Sequence, residues 1–233
     1  MDYRDLSFVQ YKILSGFIRS PGLSYSHAQP ENIDRDLYKY HLKFLVEKGI
    51  LSKSGSVYRL TDAGKKLVQY LDVHGDTHPT FKISVLCYVL RNHSELLMQK
   101  RLRQPFFGDI DVISGKIQPG ETPENAAVRK LAEESGLSAS FSFLGVIRKV
   151  RRWPKTEIFE DTLYHICLAE NPAGNLVTVN DFGENMWVSL NRVPDLISGN
   201  MTYTPNSLRL LELISAPPKE TFYIHEDITL SRI

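Results

Sequence analysis

The stretch at residues 115–137 constrains the fold of this chain more than any other feature of its sequence. It reads GKIQPGETPENAAVRKLAEESGL, and its periodicity predicts a helix over residues 123–135. Residues three and four apart on a helix share one face, so positions 130, 133 and 134 converge on one edge. The sequence therefore brings Lys130 beside Glu133 and Glu134.

The spacing of this stretch resembles the signature box of the Nudix family. That box has a glycine, a glutamate after five residues, and Arg-Glu-apolar after seven more. One residue, a Glu-Glu pair, one further residue and a Gly-apolar pair complete it. Gly115, Glu121, Arg129, Glu133 and Glu134 occupy its fixed positions. The resemblance implies an α/β/α sandwich with a mixed sheet, and hydrolysis of a nucleoside diphosphate linked to another group. It implies Glu133, Glu134 and Arg129 as catalytic residues.

One fixed position departs from the family pattern, because Lys130 stands where the family has a metal-binding glutamate. In the family the carboxylates hold Mg²⁺ or Mn²⁺, which neutralises phosphate oxygens and activates water. The resemblance implies Glu133 and Glu134 as metal ligands, with Glu121 as a further candidate. Lys130 removes one carboxylate, adds a cation and can pair with Glu134 at i,i+4. Two interpretations follow: a domain that binds its ligand but hydrolyses it poorly, and a working hydrolase with a rearranged metal site.

Ligand contacts outside the helix are predicted at several basic or glycine positions. Arg101, Gly115 and Lys116 belong to the entry into the box. The run RKVRRW, from Arg148 through Arg151 to the indole at position 153, could receive phosphates and stack on a base. The alternative is that this run forms a solvated hairpin.

Residues 1–73 are predicted to form a separate domain, mostly α with a β-hairpin, in the order helix, short helix, helix, hairpin, helix. The segments HLKFLVEKGIL and YRLTDAGK resemble winged helix-turn-helix DNA-binding domains. On the helix over residues 34–48, Leu37, Leu42 and Leu45 are predicted to face the core. The predicted DNA-contacting residues, on that helix and the wing, are Arg35, Tyr38, Lys39, Lys43 and Arg59. The alternatives are a solvated helix face and a protein-interaction or dimerisation module.

The remaining chain is predicted as a linker at 74–80, the Nudix domain at 81–215 and a tail at 216–233.

A winged helix joined to a Nudix domain resembles regulators that sense a nucleotide-linked metabolite such as ADP-ribose, although the best-known of these have the Nudix part first. The pairing implies a ligand-responsive, dimeric transcription regulator that binds double-stranded DNA and a nucleoside-diphosphate-type small molecule. The alternatives are a divalent-metal-dependent pyrophosphohydrolase and an RNA-binding protein.

Composition restricts the classes of function and the cellular location that are expected. The net charge is only +1, so no field of the whole molecule favours nucleic acid. Cys87 and Cys167 lie inside apolar runs and are predicted to be reduced core thiols. No secretory signal is visible, and no apolar run approaches the roughly 20 residues of a membrane span, so a cytoplasmic location is expected.

Overall fold

The computed structural model describes residues 5–18, 20–68, 71, 81–103, 106–152 and 158–230. The chain divides into two compact units, Met1–Thr80 and Phe81–Ile233. The predicted linker at 74–80 and the indole of Trp153 lie outside the described residues. No helix among the described residues is both long enough and apolar enough to span a bilayer.

The first unit combines helices with a small antiparallel sheet. Its elements are α1 (Phe8–Ile18), β1 (Leu23–Ser24), α2 (Arg35–Glu47), β2 (Leu51–Ser54), β3 (Val57–Leu60) and α3 (Asp62–Val68). The strands pair in the order β1-β3-β2. A single turn, in which the Ala28 N–H donates to the Ser24 carbonyl (3.0 Å), lies where a short helix was predicted, so that prediction was wrong.

The buried face of α2 differs from the predicted one at two positions. Leu42 and Leu45 are buried as predicted, but Leu37 is 44% exposed and Tyr38 is fully buried. The Tyr38 hydroxyl donates to the Tyr25 carbonyl (2.6 Å), which satisfies its polar end inside the core. Tyr38 therefore lies on the buried face of α2, four residues before Leu42 and seven before Leu45. Its predicted contact with DNA was wrong, because the side chain is buried.

The second unit contains the remaining strands and helices. They are β4 (Lys82–Arg91), β5 (Glu95–Arg101), β6 (Ile110–Asp111), β7 (Ile113–Lys116), α4 (Pro123–Ser135), β8 (Ser142–Arg152), β9 (Ile158–Glu170), β10 (Gly183–Ser189), α5 (Val193–Ile197), α6 (Pro205–Ser215) and β11 (Phe222–Thr229). A short 3₁₀ helix, Leu190–Arg192, precedes α5.

These strands form one mixed sheet, as predicted. Its order is β10-β5-β4-β9-β8-β11, with β6 paired to β5 and β7 paired to β4. The pairs β4–β9 and β8–β11 are parallel, and the other pairs are antiparallel. The prediction that residues 216–233 form a tail outside the domain was wrong in one respect. Strand β11 lies within this segment and forms an edge of the sheet.

Alternate residues of the central strand β4 pack on opposite faces of the sheet, because side chains alternate along a strand. Val85, Cys87 and Val89 pack with α4, whereas Leu86, Tyr88 and Leu90 pack with α5 and α6. The sheet is therefore covered on both faces by helices. Cys87 lies opposite Cys167 of β9, and both are free and buried, as predicted.

Candidate functional site

Helix α4 is held at both ends by local interactions. The Thr122 hydroxyl oxygen accepts from the Asn125 N–H (3.2 Å), and Pro123 occupies the first turn. Gly136 ends the helix in the left-handed conformation, with a φ of 72°. These caps fix where the helix begins and ends, and therefore which charged residues share its exposed edge.

Arg129 joins the loop before the helix to the helix itself. Its Nε and Nη2 donate to Glu121 Oε1 (2.6 Å) and Oε2 (2.8 Å), and Nη2 also donates to the Lys116 carbonyl (3.1 Å). A further ion pair joins Nη1 to Glu133 Oε1 (3.3 Å). The hydrogen bond from Arg129 lowers the pKa of Glu121 to about 2. Arg129 thus positions the loop, and the structure gives it no place on the pocket described below.

Lys130 occupies the edge of the helix where the two box glutamates converge. Its ammonium forms an ion pair with Glu134 and another with Glu133 Oε2 (3.1 Å). Lys130 and Glu134 are only 8% and 4% exposed. The aliphatic stem of Lys130 lies across Gly115, where any side chain would overlap it. The Phe182 ring centroid lies 4.8 Å from Nζ.

The box carboxylates do not fit a divalent cation in this arrangement. Glu121 is engaged by Arg129, Glu134 by Lys130, and Glu133 by both cations. Magnesium requires several oxygen ligands in near-octahedral geometry. Within the described ranges, no group of three or more His, Cys, Asp or Glu side chains could hold a metal ion. The structure brings Glu133 and Glu134 together, as predicted, but around an ammonium group.

A pocket of about 180 Å³ opens beside this ion pair. Its lining residues are Gln99, Arg101, Arg103, Ser114, Lys130, Glu134 and Phe182. The predicted ligand residue Arg101 therefore lies in the same pocket as Lys130. Lys116 is exposed and does not line it, although its carbonyl receives Arg129.

Residues just before β10 and within it supply parts of this site that the sequence did not identify. Asn180 and Asn185 each donate through their side-chain amide to the Glu134 carbonyl, both at 2.6 Å. The Asn180 side-chain oxygen also accepts from the Phe182 N–H (2.8 Å), which sets the turn that carries this ring. The sequence NDFG is typical of such a turn, but nothing local indicates that it meets the end of α4.

The basic run of β8 is neutralised within the sheet. Its four cations pair with carboxylates of β9 and β11: Arg148 with Asp161 (2.6 Å), Lys149 with Glu226 (3.7 Å), Arg151 with Glu160, and Arg152 with Asp227 (2.9 Å). Arg151 is only 3% exposed. Neither Arg148 nor Arg151 lines the pocket of Lys130, so the structure does not bring these two predicted ligand residues to it.

The remaining predicted DNA contacts lie on the surface of the first unit. Arg35, Lys39 and Lys43 are exposed on α2, and Arg59 is exposed on β3. Lys43 forms a surface ion pair with Glu47 (3.5 Å), which weakly restrains it. These four cations are available to phosphates, whereas Tyr38 is not.

The second unit is similar to known proteins in sequence and in fold. The family described as the NUDIX domain matches residues 80–206, more than half of the chain. An ADP-ribose pyrophosphatase of Methanocaldococcus jannaschii is 26% identical over 151 residues, covering 61% of this chain and 85% of the relative. An ADP-ribose pyrophosphatase of Bacillus subtilis is 26% identical over 141 residues, covering 57% and 74%. The crystal structure of a mutator MutT protein from Bacillus halodurans has the same fold, with a TM-score of 0.53, 15% identity and coverage of 64% and 91%.

Proposed function

Because this chain belongs to the NUDIX domain family, we propose that its second unit binds a nucleoside diphosphate linked to a further group. ADP-ribose is the leading candidate, since two of the chain's relatives are ADP-ribose pyrophosphatases. The chain as a whole acts as a ligand-responsive DNA-binding regulator whose hydrolytic activity is weak or lost.

The observation that carries this proposal is the position of the Lys130 ammonium. It lies between Glu133 and Glu134, the carboxylates that would otherwise bind the metal and activate water. Losing one metal-binding carboxylate costs on the order of 10³-fold in rate, or several kcal/mol of transition-state stabilisation. A domain that keeps the Nudix pocket while losing this chemistry is suited to sensing its ligand.

The first unit is proposed to be a winged helix that binds duplex DNA. Its order of helix, strand, helix, hairpin and helix, with a three-stranded antiparallel sheet, supports this assignment. In that fold the helix before the hairpin lies in the major groove, and here it is α2. Lys39 and Lys43 on α2, with Arg59 on the hairpin, present cations to the phosphates. Paired half-sites would call for a homodimer.

Removal of two cations from α2 should weaken DNA binding in a salt-dependent way. We expect the Lys39→Ala/Lys43→Ala variant to bind duplex DNA less tightly, with the slope of log K against log salt reduced by about 1 to 2, because each phosphate contact contributes about 0.9. Fluorescence anisotropy across a salt series measures this slope. The matched control is Arg209→Ala/Lys219→Ala, which removes two exposed cations from the second unit. An unchanged slope in the α2 variant would exclude α2 from the interface.

The regulator proposal is tested with the full chain and a duplex selected from a random pool. ADP-ribose should change the affinity of the full chain for that duplex, because a ligand shifts an equilibrium only through different affinities for its two states. Failure to enrich any duplex would reject the DNA-binding part. Enrichment without any effect of bound ADP-ribose would reject the regulatory part.

An active divalent-metal-dependent pyrophosphohydrolase is the second candidate. Both ADP-ribose pyrophosphatases and the retention of Glu133 and Glu134 favour it. Robust ADP-ribose turnover with Mg²⁺ or Mn²⁺ that disappears in Glu134→Gln would establish this activity and reject a sensor without hydrolysis.

A further inference from the structure

The pocket beside α4 carries an excess of positive charge. Arg101, Arg103 and Lys130 line it with Glu134, and Glu133 is held by Lys130 at its edge. Three cations and two carboxylates give a balance of +1. A glutamate at position 130 would invert this balance to −1, and a diphosphate would then need a divalent cation to offset the repulsion. Lys130 removes that requirement.

Arg101 provides an independent indication that an acceptor belongs in this pocket. Its Nε is buried and has no hydrogen-bond partner among the described residues. A buried donor without a partner is costly, and most buried donors in folded proteins are satisfied by a protein group, a water molecule or a bound ligand. The Arg101 side chain lines the pocket itself, so a phosphate oxygen bound there is a suitable acceptor.

Phe182 packs against two cations of the same pocket, of which Lys130 is buried and Arg103 is exposed. Its ring centroid lies 4.4 Å from the Arg103 guanidinium carbon and 4.8 Å from Lys130 Nζ. A cation that faces an aromatic ring on one side is less hydrated, and charge–charge attraction increases as the local dielectric falls. An anion in this pocket therefore meets a partly desolvated ammonium at Lys130.

We propose that the pocket binds the diphosphate of its ligand directly through Lys130, Arg101 and Arg103, without a divalent cation. The Lys130 ammonium supplies the charge that a metal ion would supply beside a glutamate. This inference rests on the proposed ligand class and deepens it, because it states how the diphosphate is held.

Isothermal titration of the full chain with ADP-ribose, in EDTA and in Mg²⁺, tests this inference. The dissociation constant should agree within about twofold between the two conditions, since no metal takes part. Lys130→Met keeps the length of the stem but removes the charge, and it should weaken binding by about tenfold or more in both conditions, as expected for a lost charged hydrogen bond. Lys130→Glu should bind only when Mg²⁺ is present.

Two further variants supply a control outside the pocket and a second change within it. Lys219→Met removes an exposed lysine elsewhere in the second unit and should bind as the wild type does. Arg103→Ala truncates an exposed side chain of the pocket and should weaken binding even if Lys130→Met fails to fold. Wild-type binding that requires Mg²⁺, or equal affinity in folded Lys130→Met, would overturn the inference.

Inorganic pyrophosphate, titrated in EDTA, separates this inference from the proposed ligand class. Binding of pyrophosphate without any binding of ADP-ribose would reject the ligand class and retain the metal-independent pocket. Binding of ADP-ribose only with Mg²⁺ would retain the ligand class and reject the pocket. Binding of neither compound, with or without Mg²⁺, would reject both.

Discussion

Replacing Lys130 with glutamate is expected to raise Mg²⁺-dependent hydrolysis of ADP-ribose by on the order of 10³-fold. The change removes the ammonium that engages Glu133 and Glu134 and adds a third carboxylate on the same helix edge. Gly115 has no side chain to obstruct the stem of the residue at position 130. Chromatographic measurement of AMP and ribose 5-phosphate release gives the rate.

Two companion variants assign this gain to the new carboxylate. Lys130→Gln removes the ammonium without adding a ligand, so it should gain little activity. The double variant Lys130→Glu/Glu134→Gln should lose the gain, because a neighbouring carboxylate is again missing. A wild-type protein that already hydrolyses ADP-ribose as fast as Lys130→Glu would contradict the role given to Lys130.

Neutralising Glu226 is expected to destabilise the second unit by about 3–5 kcal/mol, the usual cost of leaving a buried charge unpaired. The side chains of Lys149 and Glu226 are 6% and 3% exposed, and their charged atoms lie 3.7 Å apart. Glu226→Gln keeps the shape and an oxygen for the Thr204 hydroxyl, so it isolates the loss of charge. Urea unfolding followed by tryptophan fluorescence measures this unit, because Trp153 and Trp187 both belong to it.

A neighbouring pair on the same strand supplies the control. Asp227 pairs with Arg152 at the surface, and Asp227→Asn should change the unfolding free energy little, because solvent screens such pairs. The double variant Lys149→Met/Glu226→Gln should lose less than Glu226→Gln alone, since no buried charge remains. Equal losses in Glu226→Gln and Asp227→Asn would show that burial of the first pair has no energetic consequence.

Lys149, the partner of Glu226, makes the free energy of unfolding of the second unit depend on pH. Burial lowers the pKa of Lys149 below its ordinary 10.5, so the unfolded chain holds this proton more tightly than the folded one. The contribution of Lys149 to the free energy of unfolding therefore increases with pH in the window between its pKa in the folded protein and 10.5. The same contribution is lost as the pH decreases through that window. Glu226→Gln should make this rise larger, because the carboxylate that favours the charged lysine is gone.

Features fixed by local sequence were predicted closely. Helix α4 has the predicted bounds, since Pro123 at its start and Gly136 after its end act through neighbouring backbone groups. The Lys130–Glu134 ion pair was also predicted, because the i,i+4 spacing alone brings the two side chains together. Local physics thus defined the central part of the candidate site.

Features that depend on distant partners were missed. Strand β11 exists by pairing with β8, a partner that the sequence of the predicted tail does not indicate. The exposed face of α2 was misjudged because Tyr38 finds its acceptor in Tyr25, outside the helix. Asn180 and Asn185 reach Glu134 across 46 and 51 residues, a separation over which a single sequence carries no contact information.

The two amides on the Glu134 carbonyl also bear on how quickly the pocket can exchange its contents. They tether the segment that carries Phe182 to the end of α4, so this wall resists opening. Arg103 forms the other side of the Phe182 contact, and its exposed side chain donates through Nε to the Asp181 carbonyl (3.0 Å). Rotation of a surface side chain such as Arg103 takes picoseconds to nanoseconds, whereas opening of a tethered loop takes microseconds or longer. On the proposed sensing function, ligand exchange that moves only this side chain would not be delayed by a loop motion.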